Sequence, residues 1–149
     1  RSRGFLALHV GIAGGAEVVL LPEIPWTIEQ VKRTLDAGYR RGKKSFLMVV
    51  AEGAARGEEF ARQVEEATGY ETRATVLGHV QRGGSPTAAD RVLASQLGSA
   101  AVKLLLDGEH GVLVGEQHHC ITTTPLADAW SHDKPLDPEM LDLVRVLGA

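Results

Sequence analysis

Cysteine is almost missing from this sequence, with Cys120 the only one in 149 residues. A lone thiol excludes an internal disulfide framework and a zinc site made of cysteines alone, and it suits a reducing cytoplasm. Long apolar runs are missing too. None reaches the roughly 18 to 20 residues that a membrane-spanning helix needs, and no charged-then-apolar leader opens the chain. Positive charge is in no surplus: Lys+Arg 16 against Asp+Glu 19 leaves a net charge of −3. That balance argues against a globally basic nucleic-acid binder but leaves room for a local anion site. Neither a Walker loop nor a dinucleotide glycine fingerprint occurs, and Ser85 has no Gly-x-Ser-x-Gly elbow around it. At 149 residues the chain fits one ordinary domain or the larger part of a two-domain subunit cut short, and its opening at Arg1 without a methionine leads to the expectation of a fragment.

What is present is enough for a core: 44% hydrophobic residues at a mean hydropathy of −0.05. Helix and strand signals alternate along the chain. Gly4 to Ala13 reads as a helix stopped at Gly14-Gly15, and Val18 to Leu21 as a buried strand ended by Pro22. Thr27 and Gln30 form a capping box that opens a helix striped by Val31, Leu35 and Tyr39 and running to about Arg41. Gly42 stops it, and Phe46 to Val50 reads as a second buried strand. A helix over Gly57–Thr68 turns Phe60 and Val64 inward, and Arg73 to His79 reads as a third strand. Thr87 to Asp107 is a long apolar-striped helix closed by Gly108. Val112–Val114 and Ile121–Thr123 are two more short strands, candidates for pairing with each other. Asp137-Pro138 opens a last helix, with Asp as N-cap and Pro in the first turn. Strands separated by helices of this length predict an α/β fold with a mostly parallel sheet flanked by helices.

The loop Gly78-His79-Val80-Gln81-Arg82-Gly83-Gly84-Ser85-Pro86 follows an expected strand and precedes a long helix. Open α/β sheets bind ligands there, beyond the carboxyl ends of the strands. Its glycines let backbone approach a ligand, Arg82 offers a planar fork for phosphate, and His79 can donate to an anion or a sugar hydroxyl. A glycine-rich turn with a solvated arginine fits the composition equally well. On an extended chain Arg73 and His79 share a face but stand about 20 Å apart at ~3.3 Å per residue. One phosphate cannot easily meet both, so a functional Arg73 serves another site, as on a neighbouring subunit. An exposed strand-edge charge is the simpler reading of Arg73.

Glu52 lies just past a strand end, suited to a sugar hydroxyl or to an ordinary loop. Arg40-Arg41-Gly42-Lys43-Lys44 sets cations at a helix C-terminus, where they complement the dipole or meet a polyphosphate. The lack of interleaved aromatics argues against nucleic acid at this cluster. Glu17, after Gly14-Gly15-Ala16, reads as a helix stop or as a ligand for Mg²⁺ carried by a nucleotide. His118-His119-Cys120 on an extended chain point to alternate faces, which favours surface residues over a metal site.

Together these residues resemble a known family. Gly78 to Thr87, followed by Asp90-Arg91, is similar to the signature of the bacterial-type 6-phosphofructokinase family. Arg1-Ser2-Arg3-Gly4-Phe5-Leu6-Ala7, Gly14 to Glu17, Arg41 to Lys44 and Glu71-Thr72-Arg73 fall in that family's order and spacing. The chain resembles the C-terminal half of such a subunit, part of a two-lobed Rossmann-like architecture. The resemblance implies a fructose-6-phosphate and effector lobe formed by 1–80 with 132–149. It implies that 81–131 packs onto an ATP-binding lobe.

It further implies roles for single residues. Arg1 would bind fructose 6-phosphate and stabilise the transferring phosphoryl group; Glu52, His79, Val80, Gln81 and Arg82 would hold the sugar phosphate. Arg73 would reach a partner subunit's site. Gly15, Ala16, Glu17, Arg41, Lys43, Lys44 and Ser45 would form a pocket for ADP or phosphoenolpyruvate, with Glu17 meeting the effector's Mg²⁺. Ser45 stands where the family often has His. The ATP loop and the catalytic aspartate belong to the other half in the family, and neither Asp90 nor Glu52 replaces that base. The expectation is therefore a piece inactive alone, taken from a cytoplasmic glycolytic homotetramer that uses ATP and Mg²⁺. The His79 form of the motif favours ATP over pyrophosphate. The rival expectation is a stand-alone sugar-phosphate or nucleotide sensor without catalysis.

Overall fold

The computed structural model describes residues 2–131 and 133–148, which divide into two units. The first spans residues up to Leu77 and resumes at Pro135; the second is Gly78–Lys134.

The first unit is built on two short parallel strands, β1 (Val18–Leu20) and β2 (Met48–Val50), in register Val18↔Met48, Val19↔Val49 and Leu20↔Val50. Helix α1 (Phe5–Gly14) precedes β1 and ends at Gly15, whose φ of +67° sets the left-handed turn that stops the helix. Helix α2 (Ile28–Arg40) starts at the expected capping box: Thr27 Oγ1 accepts from the Gln30 N–H, and Gln30 Oε1 accepts from the Thr27 N–H. Helix α3 (Gly57–Thr68) keeps the bounds read from the sequence and closes at Gly69.

Alternation along β1 divides the packing into layers. Val18 and Leu20 join Val31 and Leu35 of α2 and Phe60 and Val64 of α3 in the main core. Trp26 meets Phe60 edge-on, ring centroids 5.4 Å apart, and its indole N–H donates to the Ala54 carbonyl. Val19 points the other way, toward Gly11 of α1. The last helix α6 (Pro138–Gly148) packs on α1; it is capped by Asp137, whose carboxylate accepts from the Glu139 N–H at 2.9 Å.

The expected strand Arg73 to His79 does not form. Residues 69–77 carry no regular structure, and Gly78–Arg82 is a single 3-10 turn. Ala74 and Val76 lie near Gly57 at the start of α3, and among the described residues no strand runs beside them to accept a ladder. The face shared by Arg73 and His79 on an extended strand is therefore not realised.

In the second unit, helix α4 (Ala88–Leu106) begins at a second capping box, Thr87 with Asp90. The hairpin β3 (Val112–Gln117) and β4 (Cys120–Pro125) follows, antiparallel rather than parallel, and then α5 (Leu126–Ser131). His118 and His119 are not extended: they form the two-residue hairpin turn, at φ +51° and +63°. No described residue of this unit is buried. Val92, Val102, Leu105 and Leu106 of α4 stay exposed, as do Ile121 and Trp130.

Candidate functional site

The two parallel strands have two ends; candidate residues gather at the entering one, and Glu52 follows the other. At the entering end, Gly15, Ala16 and Glu17 lead into β1, while Arg41, Lys43, Lys44 and Ser45 lead from α2 toward β2. The structure brings these two segments together at Glu17. The Glu17 N–H donates to the Leu47 carbonyl at 3.0 Å, and Glu17 Oε2 accepts from the Leu47 N–H at 2.7 Å. Glu17 Oε1 is paired with the Lys43 ammonium. Burial pushes the Glu17 carboxyl up, but hydrogen bonds from Lys43 and from backbone N–H groups outweigh it, and the carboxyl titrates below the ordinary carboxylate range.

Local geometry explains the convergence. Ala16 is buried, with its N–H on the Gly11 carbonyl at 2.8 Å, so the chain leaves α1 tightly and carries Glu17 inward. After α2, Gly42 takes φ +90° and the Lys43 N–H returns to the Gly38 carbonyl at 3.1 Å, which turns Lys43 back toward β1. Arg41, Lys44 and Ser45 remain exposed beside it. Leu47 was invisible to sequence reasoning as a site residue, because a backbone N–H carries no residue-type signal.

The donor set suits Mg²⁺ in one way only. Magnesium keeps much of its shell as water and phosphate oxygen and takes one or two carboxylates from protein. Glu17 offers one such carboxylate, its Oε1 occupied by the Lys43 ammonium and its Oε2 by the Leu47 N–H. No group of three or more His, Cys, Asp or Glu side chains able to hold a metal occurs among the described residues.

At the leaving end of the strands, the Ala51 N–H donates to the Leu20 carbonyl at 2.9 Å and Glu52 follows in an exposed turn. Arg73, also in the first unit, projects into solvent and pairs with Glu71 at 2.7 Å. His79, Val80, Gln81 and Arg82 belong to the second unit, all exposed on the 3-10 turn, with Gly83 at φ +89° directly after it. Asp90 is committed to capping α4: its carboxylate accepts from the Thr87 N–H at 2.7 Å, which draws its pKa below the usual value. Arg1 lies outside the described residues. No described helix is long and apolar enough to cross a membrane.

The chain is similar to proteins of known kind. It is 47% identical over 148 residues to the ATP-dependent 6-phosphofructokinase of Bacillus licheniformis, covering 99% of this chain and 46% of the relative. It is 50% identical over 150 residues to ATP-dependent 6-phosphofructokinase 1 of Thermus thermophilus, covering 99% of this chain and 47% of that protein. The chain thus spans about half the length of the curated relatives it matches. Among solved structures, phosphofructokinase from Saccharomyces cerevisiae superposes with a TM-score of 0.73 at 30% identity, covering 99% of this chain and 20% of that one. A pyrophosphate-dependent phosphofructokinase from Marinobacter aquaeolei reaches a TM-score of 0.75 at 23% identity, covering 100% of this chain and 46% of that one, a likeness of fold alone. A family model described as Phosphofructokinase matches residues 1–105, and by that match the chain belongs to the phosphofructokinase family.

Proposed function

We propose that this chain is the C-terminal, sugar-phosphate-binding and regulatory half of an ATP-dependent 6-phosphofructokinase. The whole enzyme moves the ATP γ-phosphoryl group, with Mg²⁺, to the 1-hydroxyl of fructose 6-phosphate and releases fructose 1,6-bisphosphate in cytoplasmic glycolysis. The observation that carries this reading is identity of 47% to 50% to enzymes of that name along 99% of the chain.

The residues divide by task. Arg1, Glu52 and His79 to Arg82 hold fructose 6-phosphate, and Arg73 reaches the sugar-phosphate site of a neighbouring subunit in a homotetramer. Arg1 also stabilises charge on the phosphoryl group in flight. The cationic corner of Gly15, Ala16, Glu17, Arg41, Lys43, Lys44 and Ser45 takes ADP or phosphoenolpyruvate as effector. The exposed apolar side chains of α4 and the hairpin support packing of residues 81–131 on the ATP-binding half, since an apolar face of this kind marks an interaction surface. The lobe of 1–80 with 132–149 carries the sugar phosphate and the effector.

Arg82→Ala tests the substrate assignment in the enzyme completed by its ATP-binding half. A lost charge-assisted contact to a phosphate raises KM for fructose 6-phosphate about tenfold or more and leaves KM for ATP nearly unchanged. Equal rises in both constants contradict the assignment.

A further inference from the structure

Helix α1 lacks a cap of its own. Gly4 has no side chain to accept from the first turn, and no acidic residue stands in that turn. The acceptor comes instead from 19 residues away: Glu23 Oε1 takes the Gly4 N–H at 2.8 Å, a charge-assisted bond at the positive end of the helix. The Gly4 carbonyl accepts from the Leu8 N–H at 2.9 Å, so both backbone polar groups of Gly4 are engaged. Space there is tight: a Cβ at Gly4 would stand 2.7 Å from Leu21 Cδ2 and 2.8 Å from Glu23 Oε2. Glu23 itself sits in the short turn after β1, which closes from the Ile24 N–H to the Leu21 carbonyl at 3.2 Å. Contacts along α1 fix its direction. Gly4 meets Leu21 and Glu23 beyond the leaving end of β1, Gly11 meets Val19, and Gly14 meets Leu47 before β2. The start of α1 therefore lies at the end of the sheet that leads to Glu52, where open α/β sheets bind ligands.

From this geometry we infer that Glu23 is a positioning residue for the sugar-phosphate site. By anchoring Gly4 it fixes the direction in which the segment before α1, with Arg1 in it, approaches that end of the sheet. The inference rests on the role proposed for Arg1. Arg1 is joined to the anchored Gly4 through Ser2 and Arg3 alone. An anchor so close along the chain matters for a guanidinium that must meet charge on a phosphoryl group in flight, since a misplacement of about 1 Å costs on the order of a hundredfold in rate. Glu23 touches neither substrate nor reacting atoms in this scheme; it acts through the backbone. The site therefore needs from it an acceptor oxygen of the right reach, which an amide supplies as well as a carboxylate does. A side chain that only stabilised α1 would change how much enzyme is folded, not how the folded enzyme treats its substrate.

Steady-state kinetics of the enzyme completed by its ATP-binding half, with thermal melting of each variant, test the assignment. Glu23→Ala is expected to lower kcat/KM for fructose 6-phosphate about tenfold and to leave KM for ATP near its original value. Glu23→Gln keeps the acceptor and is expected to stay within about twofold of the unaltered enzyme. The decisive comparison adds Arg1→Ala. In an enzyme already lacking that guanidinium, Glu23→Ala costs little more, so the two losses are far from additive. Gly4→Ala, whose Cβ crowds Leu21 and Glu23, should repeat the Glu23→Ala pattern. Additive losses, an unchanged kcat/KM in Glu23→Ala, or a Glu23→Gln enzyme as impaired as Glu23→Ala each overturn the inference and leave the substrate assignment standing. A Glu23→Ala enzyme unfolded at the assay temperature overturns it too, since stability then accounts for the loss. Absence of fructose 6-phosphate turnover by the unaltered, completed enzyme overturns the proposed function and the inference together.

Discussion

Glu17 and Leu47 are joined twice, once through the backbone at 3.0 Å and once from the Leu47 N–H to the Glu17 carboxylate at 2.7 Å. The backbone bond continues the contact between the β1 and β2 segments one residue beyond Val18↔Met48, and the side-chain bond ties the end of the basic stretch to it. Glu17→Ala leaves the Leu47 N–H without its acceptor and Lys43 without its anion, a loss of about 2 kcal/mol. Chemical denaturation at neutral pH measures it.

The same carboxyl sets a pH dependence. Its folded pKa lies below its ordinary value of 4.5, so the native state favours the ionised form. The stabilisation is complete above that ordinary value and is lost as pH falls from there through the lowered folded pKa. Denaturation midpoints between neutral pH and strongly acidic pH should therefore fall less steeply in Glu17→Gln than in the unaltered chain. Parallel curves would mean that Glu17 contributes nothing to acid sensitivity.

Gly11→Ala probes the layer between α1 and the strands. A Cβ at Gly11 stands 2.4 Å from Val19 Cγ2, on a branched side chain with little freedom to withdraw. Overpacking of this kind costs about 1–3 kcal/mol. Pairing it with Val19→Ala should restore part of the loss, and a thermal melt of the two variants reads the coupling.

Much of this fold is legible in the sequence, and the failures have a common cause. Thr27 with Gln30, Asp137 with Pro138, and the stop at Gly14-Gly15 act on the backbone within a few residues, so local chemistry suffices to place α2, α6 and the end of α1. A strand needs a partner that the local sequence does not name. Residues 73–79 have strand-like composition but no partner strand among the described residues, and β2 keeps only Met48–Val50 of the expected Phe46 to Val50. The site divides in the same way. The cations at 41–44 are visible as a cluster, whereas the meeting of Lys43 with Glu17 depends on the parallel pairing that brings their segments side by side.

The hairpin tip offers a gain in stability. Two-residue turns with both residues at positive φ favour Asn-Gly, yet His118 and His119 occupy this one at +51° and +63°. Left-handed backbone costs a side-chain-bearing residue roughly 1–2 kcal/mol relative to glycine. His119→Gly should slow amide exchange across β3 and β4, and unchanged exchange would show that the turn is not strained.

The capping box of α4 gives a test confined to the second unit. Thr87→Ala removes the acceptor for the Asp90 N–H and the donor to Asp90 Oδ2. The expected cost is about 1 kcal/mol, read as faster exchange in the first turn of α4 with α2 and α3 unaffected.

Between Glu17 and Ala51 the sheet is only three rungs long, from Val18↔Met48 to Leu20↔Val50. A one-residue slip there would turn core-facing side chains over to the wrong side, so β2 cannot soak up a tug by sliding. Tension on Leu47 at the cationic mouth is consequently handed along a stiff rod toward Glu52. About 16 Å of backbone, five residues at ~3.3 Å each, thus connect the Glu17–Lys43 corner with the turn that carries Glu52.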